Sequence, residues 1–203
     1  QALSMAADHL SLYQLTIEDG TAVGERYAIG KLRGLPDDDL AADMYAATQD
    51  ICEAAGFTSY EVSNHARPGC ESIHNQIYWR YGDYAGIGPG AHGRLTLDGQ
   101  RYATETPLGP TAWLQQVEHA GNGESTRSVL TAEDQRAEML LMGMRLREGV
   151  DLNRFKISQS DSFTNKINNL REIGMVELTE NRLQLTAQGR PLLNAVLRTL
   201  LAD

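Results

Sequence analysis

The sequence predicts an α/β protein in two parts: a βα unit of a parallel sheet in front, and a smaller module of winged-helix order behind. Three observations carry this reading. An alternating apolar run, a helical stripe and a second short β-rich run succeed one another over residues 9–62. Two helical patterns, a hairpin pattern and a last helix fill residues 131–201. A stretch rich in Gly and Pro, residues 93–127, lies between them and sets the expected division near residue 125, giving parts of 1–125 and 126–203.

Residues 1–7 read as the end of a helix feeding a strand, which suggests a chain cut from something longer. The strand is His9–Ile17, with Leu10, Leu12, Leu15 and Ile17 among its apolar positions. A helix then opens at Leu35-Pro36-Asp37-Asp38-Asp39, where Pro and acids suit a first turn. Its stripe runs Leu40, Met44, Ala47, Ile51 and Ala55, and Gly56 closes it. Thr58–Val62 is a short strand, and Tyr84–Ile87 begins another. Asp98-Gly99 marks a hairpin, and a short helix falls near Thr111–His119. Thr131 caps a helix reaching about Arg147, with Asp134 as its capping-box acid. Ser160–Ile173 is the next helix, stopped by Gly174. Strands on either side of Glu180-Asn181 form a hairpin, and Ala187–Leu201 is the last helix.

Composition removes several function classes. No run of 18 apolar residues occurs, so no membrane span is expected, and the first residues lack the pattern of a secretory signal. Cys52 and Cys70 are too few for a disulfide framework, which fits a reducing, cytoplasmic setting. Residues 1–130 hold 17 acidic and 8 basic side chains, against 10 of each in residues 131–203. An acidic front part repels phosphate backbones. The second helix of the back module sets only Lys166 and Arg171 against Asp161 and Glu172, so no nucleic-acid partner is expected and the module reads as a packing element. A winged-helix regulator that senses a small ligand is the alternative from another class.

The chemistry-bearing residues gather in His74–Gly93, HNQIYWRYGDYAGIGPGAHG. His74 suits an iron or other metal ligand, with Tyr78 and Trp79 able to cover a flat ligand; residue type alone favours a histidine that bonds the backbone of a loop. The run Gly86–Gly93 allows close approach of a ligand to the backbone, or makes a tight turn with no ligand. Residue type leaves His92 between site and surface. Glu18 and Asp19 lack a partner carboxylate, and Tyr60-Glu61 at a strand end is equally open. Cys70 reads as incidental and Cys52 as core.

The order HLSLYQLTIEDGT, LPDDDLAADMY, GFTSYEVSNHARPG and HNQIYWRYGDYAGIGPGAHG, with a helical and hairpin tail, resembles the C-terminal half of the oxygen-independent coproporphyrinogen III oxidase-like radical SAM proteins of HemN/HemW type. The H-N-x-x-Y-W and Y-E-x-S-N stretches are similar to the haem-chaperone branch. The resemblance covers essentially the whole chain. It implies the C-terminal part of a partial (β/α) radical SAM barrel, followed by a winged-helix-like domain. It also implies S-adenosylmethionine and a [4Fe–4S] cluster in the intact protein. The C-x-x-x-C-x-x-C motif that would hold such a cluster is absent here, so the chain by itself is expected to be catalytically inert. Carried over by position, Thr16, Gly88, Gly90, Ala91 and His92 face the S-adenosylmethionine side. His74 is the haem ligand, and Tyr78 and Trp79 are its companions in the motif. Haem or a porphyrin and a haem-acceptor protein are the implied partners. The oxidase reaction, coproporphyrinogen III to protoporphyrinogen IX, is the alternative within the family. Open sheet edges further predict a homodimer.

Overall fold

The computed structural model describes residues 2–14, 16–154 and 161–202. The chain forms two compact units, Gln1–Glu71 and Ser72–Asp203. Residue 125 lies inside the second unit, immediately before a strand at Thr126–Val129.

The first unit begins with a short helix α1 (Ala2–Met5) and strand β1 (His9–Ser11). Helices α2 (Ala22–Ala28) and α3 (Asp38–Ala54) follow, then strands β2 (Thr58–Ser59) and β3 (Asn64–Ala66). The Asp37 carboxylate accepts from Leu40 N and starts α3 where the Pro and acid signal puts it. The sheet order is β1-β3-β2 with both ladders antiparallel, so β1 and β2 run in the same direction, as the strand-helix-strand reading expects, but β3 lies between them and no parallel ladder forms. The central strand, Asn64-His65-Ala66, has no apolar alternation to announce it. The expected strand His9–Ile17 stops at Ser11 because its partner runs out. Leu12 N still reaches Ser63 O at 2.7 Å, but beyond it the partner chain turns away through Glu61. Tyr13 and Thr16 are exposed and belong to no strand.

In the second unit α4 (Ile73–Trp79) precedes the hairpin β4 (His92–Leu97) and β5 (Gln100–Glu105). The hairpin turns at Asp98-Gly99, both at positive φ, as the sequence requires. Tyr84–Ile87 does not form a strand; Tyr84 alone makes an antiparallel bridge to Arg94, because the glycines after it carry the chain into a turn. Helix α5 (Pro110–Ala120) and strand β6 (Thr126–Val129) complete a sheet of order β4-β5-β6.

Helix α6 (Ala132–Gly143) carries the expected capping box of Thr131 and Asp134, and ends earlier than Arg147. Residues 150–151, beyond the expected helix, form a short strand β7 (Val150–Asp151). Helix α7 (Asp161–Glu172) stops before Gly174; the expected start at Ser160 lies outside the described residues. Strands β8 (Val176–Thr179) and β9 (Arg182–Leu185) turn at Glu180-Asn181, and the third sheet has order β7-β9-β8, again antiparallel. The last helix starts later than Ala187. A 3-10 turn at Arg190–Leu192 contains Pro191, which has no N–H to give, and α8 (Leu193–Leu201) follows. Leu140, Met144, Leu183 and Val196 pack the interior between α6, β9 and α8.

Candidate functional site

Helix α4 places the H-N-x-x-Y-W residues, so His74 stands on a helix and not in the loop of the alternative reading. Ser72 caps it, its hydroxyl accepting from Asn75 N at 3.3 Å. Helical spacing then sets His74 and Tyr78 on one face, four residues apart. The Tyr78 hydroxyl lies 3.0 Å from His74 Nε2, and the two rings meet edge-on with centroids 4.7 Å apart. On its other side Tyr78 stacks edge-on against Tyr84 at 4.4 Å. Tyr84 is fixed in turn by paired backbone bonds with Arg94, each 2.8 Å. His74 itself is exposed, so a ligand can reach it from solvent.

Trp79 faces elsewhere. Its ring lies beneath the Arg145 guanidinium, 4.7 Å from centroid to Cζ, and its indole N–H is buried with no partner. It also lines a cavity of about 320 Å³ together with Arg80, Met139, Leu146, Val150 and Arg182. Structurally, then, Trp79 joins α4 to the interior while Tyr78 attends His74.

The glycine run makes a tight turn that closes on the end of the β4–β5 hairpin, preceding β4 where a strand end had been expected. Gly88 and Gly90 have φ of +103° and +70°, conformations that side chains rarely adopt. Thr106 clamps the turn: its hydroxyl donates to Gly88 O at 2.6 Å and accepts from Ala91 N at 2.8 Å. Gly90 N donates to Pro107 O at 2.8 Å. The N–H groups of Gly90 and Ala91 are therefore engaged within the protein. His92 opens β4 with an exposed ring, Nδ1 3.8 Å from Glu105. Thr16 lies on the other unit.

Two clusters escaped the sequence reading. In the first unit Glu61 is fully buried and accepts from Ser63 N and from Asn64 Nδ2, the latter at 2.9 Å. Ser11 donates to Asn64 Oδ1 at 2.6 Å, and His65 Nε2 meets Gln49 Oε1 at 3.1 Å. Burial lowers the His65 pKa, with the Glu61 charge opposing. The signal was the polar Tyr60–His65 stretch itself, five polar residues around one Val where a strand end was read. In the second unit Glu138 of α6 receives Arg94 at 2.7 Å and the Tyr81 hydroxyl at 2.8 Å. Burial, then the hydrogen bond to Glu138, pushes the Tyr81 phenol well above its usual pKa. Arg101 lies over the Tyr81 ring at 3.9 Å and pairs with Asp83 at 2.7 Å. These contacts tie Tyr81 and Arg94, on either side of Tyr84 in the chain, to α6 through Glu138.

Among the described residues, no three His, Cys, Asp or Glu side chains gather as a metal site. Cys52 is buried in α3, with its thiol pKa raised by burial, and Cys70 is exposed, so the two do not make a cluster-binding set. Among those residues no helix is long and apolar enough to cross a membrane.

The comparisons with known proteins define the class first. Residues 130–192 match the HemN C-terminal domain. The whole chain superposes on the Escherichia coli structure titled "Coproporphyrinogen III oxidase (HemN) from Escherichia coli is a Radical SAM enzyme", with a TM-score of 0.70 at 18% identity over 99% of this chain and 49% of that one. That likeness establishes a shared mixed α/β fold. Among curated proteins, the chain is 35% identical to the mitochondrial Radical S-adenosyl methionine domain-containing protein 1 of Danio rerio, over 100% of the chain and 48% of that protein. It is 35% identical to Heme chaperone HemW of Mycobacterium tuberculosis (98% and 49%) and 33% identical to that of Escherichia coli (100% and 52%). The chain belongs to the HemN/HemW-type radical SAM proteins, corresponds to their C-terminal portion, and is homologous to the HemW haem chaperones. It spans about half the length of these curated relatives.

Proposed function

We propose that the protein carries haem for delivery to an acceptor protein, with His74 as the iron ligand. The observation that carries this reading is the exposed imidazole on a capped helix, held by Tyr78 and backed by Tyr84. An imidazole presented in this way suits haem iron. Relatives named haem chaperones, aligned along the whole chain, support the same assignment.

In the intact protein the family likeness points to S-adenosylmethionine and a [4Fe–4S] cluster as well. Cys52 and Cys70 do not make the C-x-x-x-C-x-x-C set of such a cluster, and in this reading the residues of this portion bind and orient cargo. An S-adenosylmethionine-facing role for Thr16, Gly88, Gly90, Ala91 and His92 is part of this reading. Because the turn uses the Gly90 and Ala91 N–H groups internally, His92 is the polar side chain it offers. A C-terminal module from about residue 126, winged-helix-like in its order of helices around a three-stranded sheet, is supported by the domain match that starts at residue 130.

The test is a haem titration followed in the Soret region, beside His74→Ala. A saturable change in the wild type that is lost in the variant supports the proposal. Equal responses from the two proteins sink it. Turnover of coproporphyrinogen III would replace the chaperone reading with the oxidase one.

A further inference from the structure

We infer that Tyr78 is a release device: its hydroxyl and haem iron compete for the same nitrogen of His74. The inference rests on the proposal that His74 ligates iron, and adds how that bond is weakened and reset. Nε2 is the ring nitrogen remote from Cβ, and therefore the one a broad flat macrocycle can approach without meeting the helix. It is also the nitrogen held 3.0 Å from Tyr78 Oη. Nε2 has a single in-plane position to offer. If the phenol O–H donates to it, the lone pair is engaged; if Nε2 carries the proton and donates to Oη, the lone pair is absent until the proton is on Nδ1. In both tautomers iron gains Nε2 only when the His74–Tyr78 hydrogen bond breaks.

The hydroxyl stays within reach after it breaks. Tyr78 is four residues from His74 on the same helix, and its ring is stacked at 4.4 Å on Tyr84. Tyr84 is tied to β4 through both of its backbone groups. Loading exchanges a solvent ligand of the iron for Nε2 and breaks the His74–Tyr78 hydrogen bond; where Nε2 carried the proton, that proton passes through water to Nδ1, the freed hydroxyl turns to water, and no electron moves. On delivery the acceptor takes the iron and the hydroxyl recaptures Nε2. A protein that must hand its cargo on gains from such a competitor, since it speeds departure without removing the ligand.

The experiment titrates the protein with iron(III) protoporphyrin IX as wild type, His74→Ala and Tyr78→Phe, then measures transfer to apomyoglobin. Tyr78→Phe keeps the ring on Tyr84 and removes the hydroxyl. It is expected to bind about fivefold more tightly and to release haem correspondingly more slowly, the change that follows when one hydrogen bond no longer has to be broken. Equal or weaker binding by Tyr78→Phe, with His74→Ala still defective, overturns the competition while leaving His74 as ligand. A wild type indistinguishable from His74→Ala overturns both. Nitrogen-15 shifts of the His74 ring in the haem-free protein give an independent readout: Nε2 is expected to shift in Tyr78→Phe, and an unchanged shift refutes the hydrogen bond itself.

Discussion

The two units differ in whether their helical apolar stripes are covered. In the second, the stripe of α8 is hidden: Leu193, Val196, Leu197 and Leu200 are each at most 6% exposed. In the first, the stripe of α3 has the same helical spacing, yet Leu40, Met44 and Ile51 are 51–59% exposed, while the interior holds Glu61, Asn64 and His65 beside Cys52, Phe57 and Ala66. Periodicity therefore tells which residues share a face, and says nothing about what covers it. The cover in the second unit comes from α6 and α7, which pack against α8; three strands of two or three residues cannot provide it in the first.

The sharpest way to break this comparison is to truncate one residue on each side. Leu183, fully buried on the central strand β9, is expected to cost about 2–5 kcal/mol as Leu183→Ala. Met44→Ala is expected to stay within about 0.5 kcal/mol, because its side chain already faces solvent. Urea unfolding of both variants measures the difference. A comparable loss at Met44 would mean that the stripe is covered in solution. Sedimentation across a concentration series would then show whether a second copy covers it, as the open sheet edges predict.

A smaller effect is expected at the polar contacts that hold α6 to β4. Glu138→Gln weakens the pairing with Arg94 and changes the bond to Tyr81, at an expected cost of about 1–3 kcal/mol. Tyr81→Phe removes only the hydroxyl, at about 1 kcal/mol. The phenol also sets an alkaline limit. Its folded pKa is raised, so this contribution is complete below the unfolded value near 10 and is lost as pH rises above it. Denaturation at pH 9 and 11 should show a fall that Tyr81→Phe lacks.

How much of this was legible in the sequence follows from what each signal encodes. Local chemistry was readable: the Asp98-Gly99 and Glu180-Asn181 turns, the Thr131–Asp134 box and the glycine stops all stand where their residues require particular φ values or cap atoms. Pairing partners were not. Ladder direction in the first sheet depends on where the chain reverses after β2, and a buried carboxylate, Glu61, makes that reversal through bonds to residues two and three positions on. The H-N-x-x-Y-W residues were weighed as a site or as a loop, and their helix was not read. Their helix is short, and it rests on the Ser72 cap and on contact with α6 more than on a long apolar period. That same helical spacing is what makes Tyr78 a partner of His74.

The buried polar cluster of the first unit predicts an acid sensitivity that the apolar packing around α8 does not share. Burial keeps the His65 folded pKa below its usual value, so below about pH 6.5 the unfolded chain binds more protons than the folded one. Stability should fall as pH drops through that window, and His65→Gln should flatten the slope. Hydrogen exchange resolved by residue would localise the loss to β1–β3; an unchanged slope in the variant would clear His65 of the effect.

The least costly change tests how firmly the site is held. Ser72→Ala removes the side-chain cap of α4, at about 0.5–1 kcal/mol. Global stability should barely move, because α4 contributes none of the fully buried side chains. The first turn, however, contains His74, while Tyr78 in the second turn stays pinned by Tyr84. Fraying should therefore separate the two rings. Faster amide exchange at residues 73–76 with unchanged exchange in α8 is the expected result, together with a weaker His74–Tyr78 bond in nitrogen-15 spectra. If exchange in α4 does not respond, the helix is held by its packing on α6, and the position of His74 is set by the interior of the second unit and not by its cap.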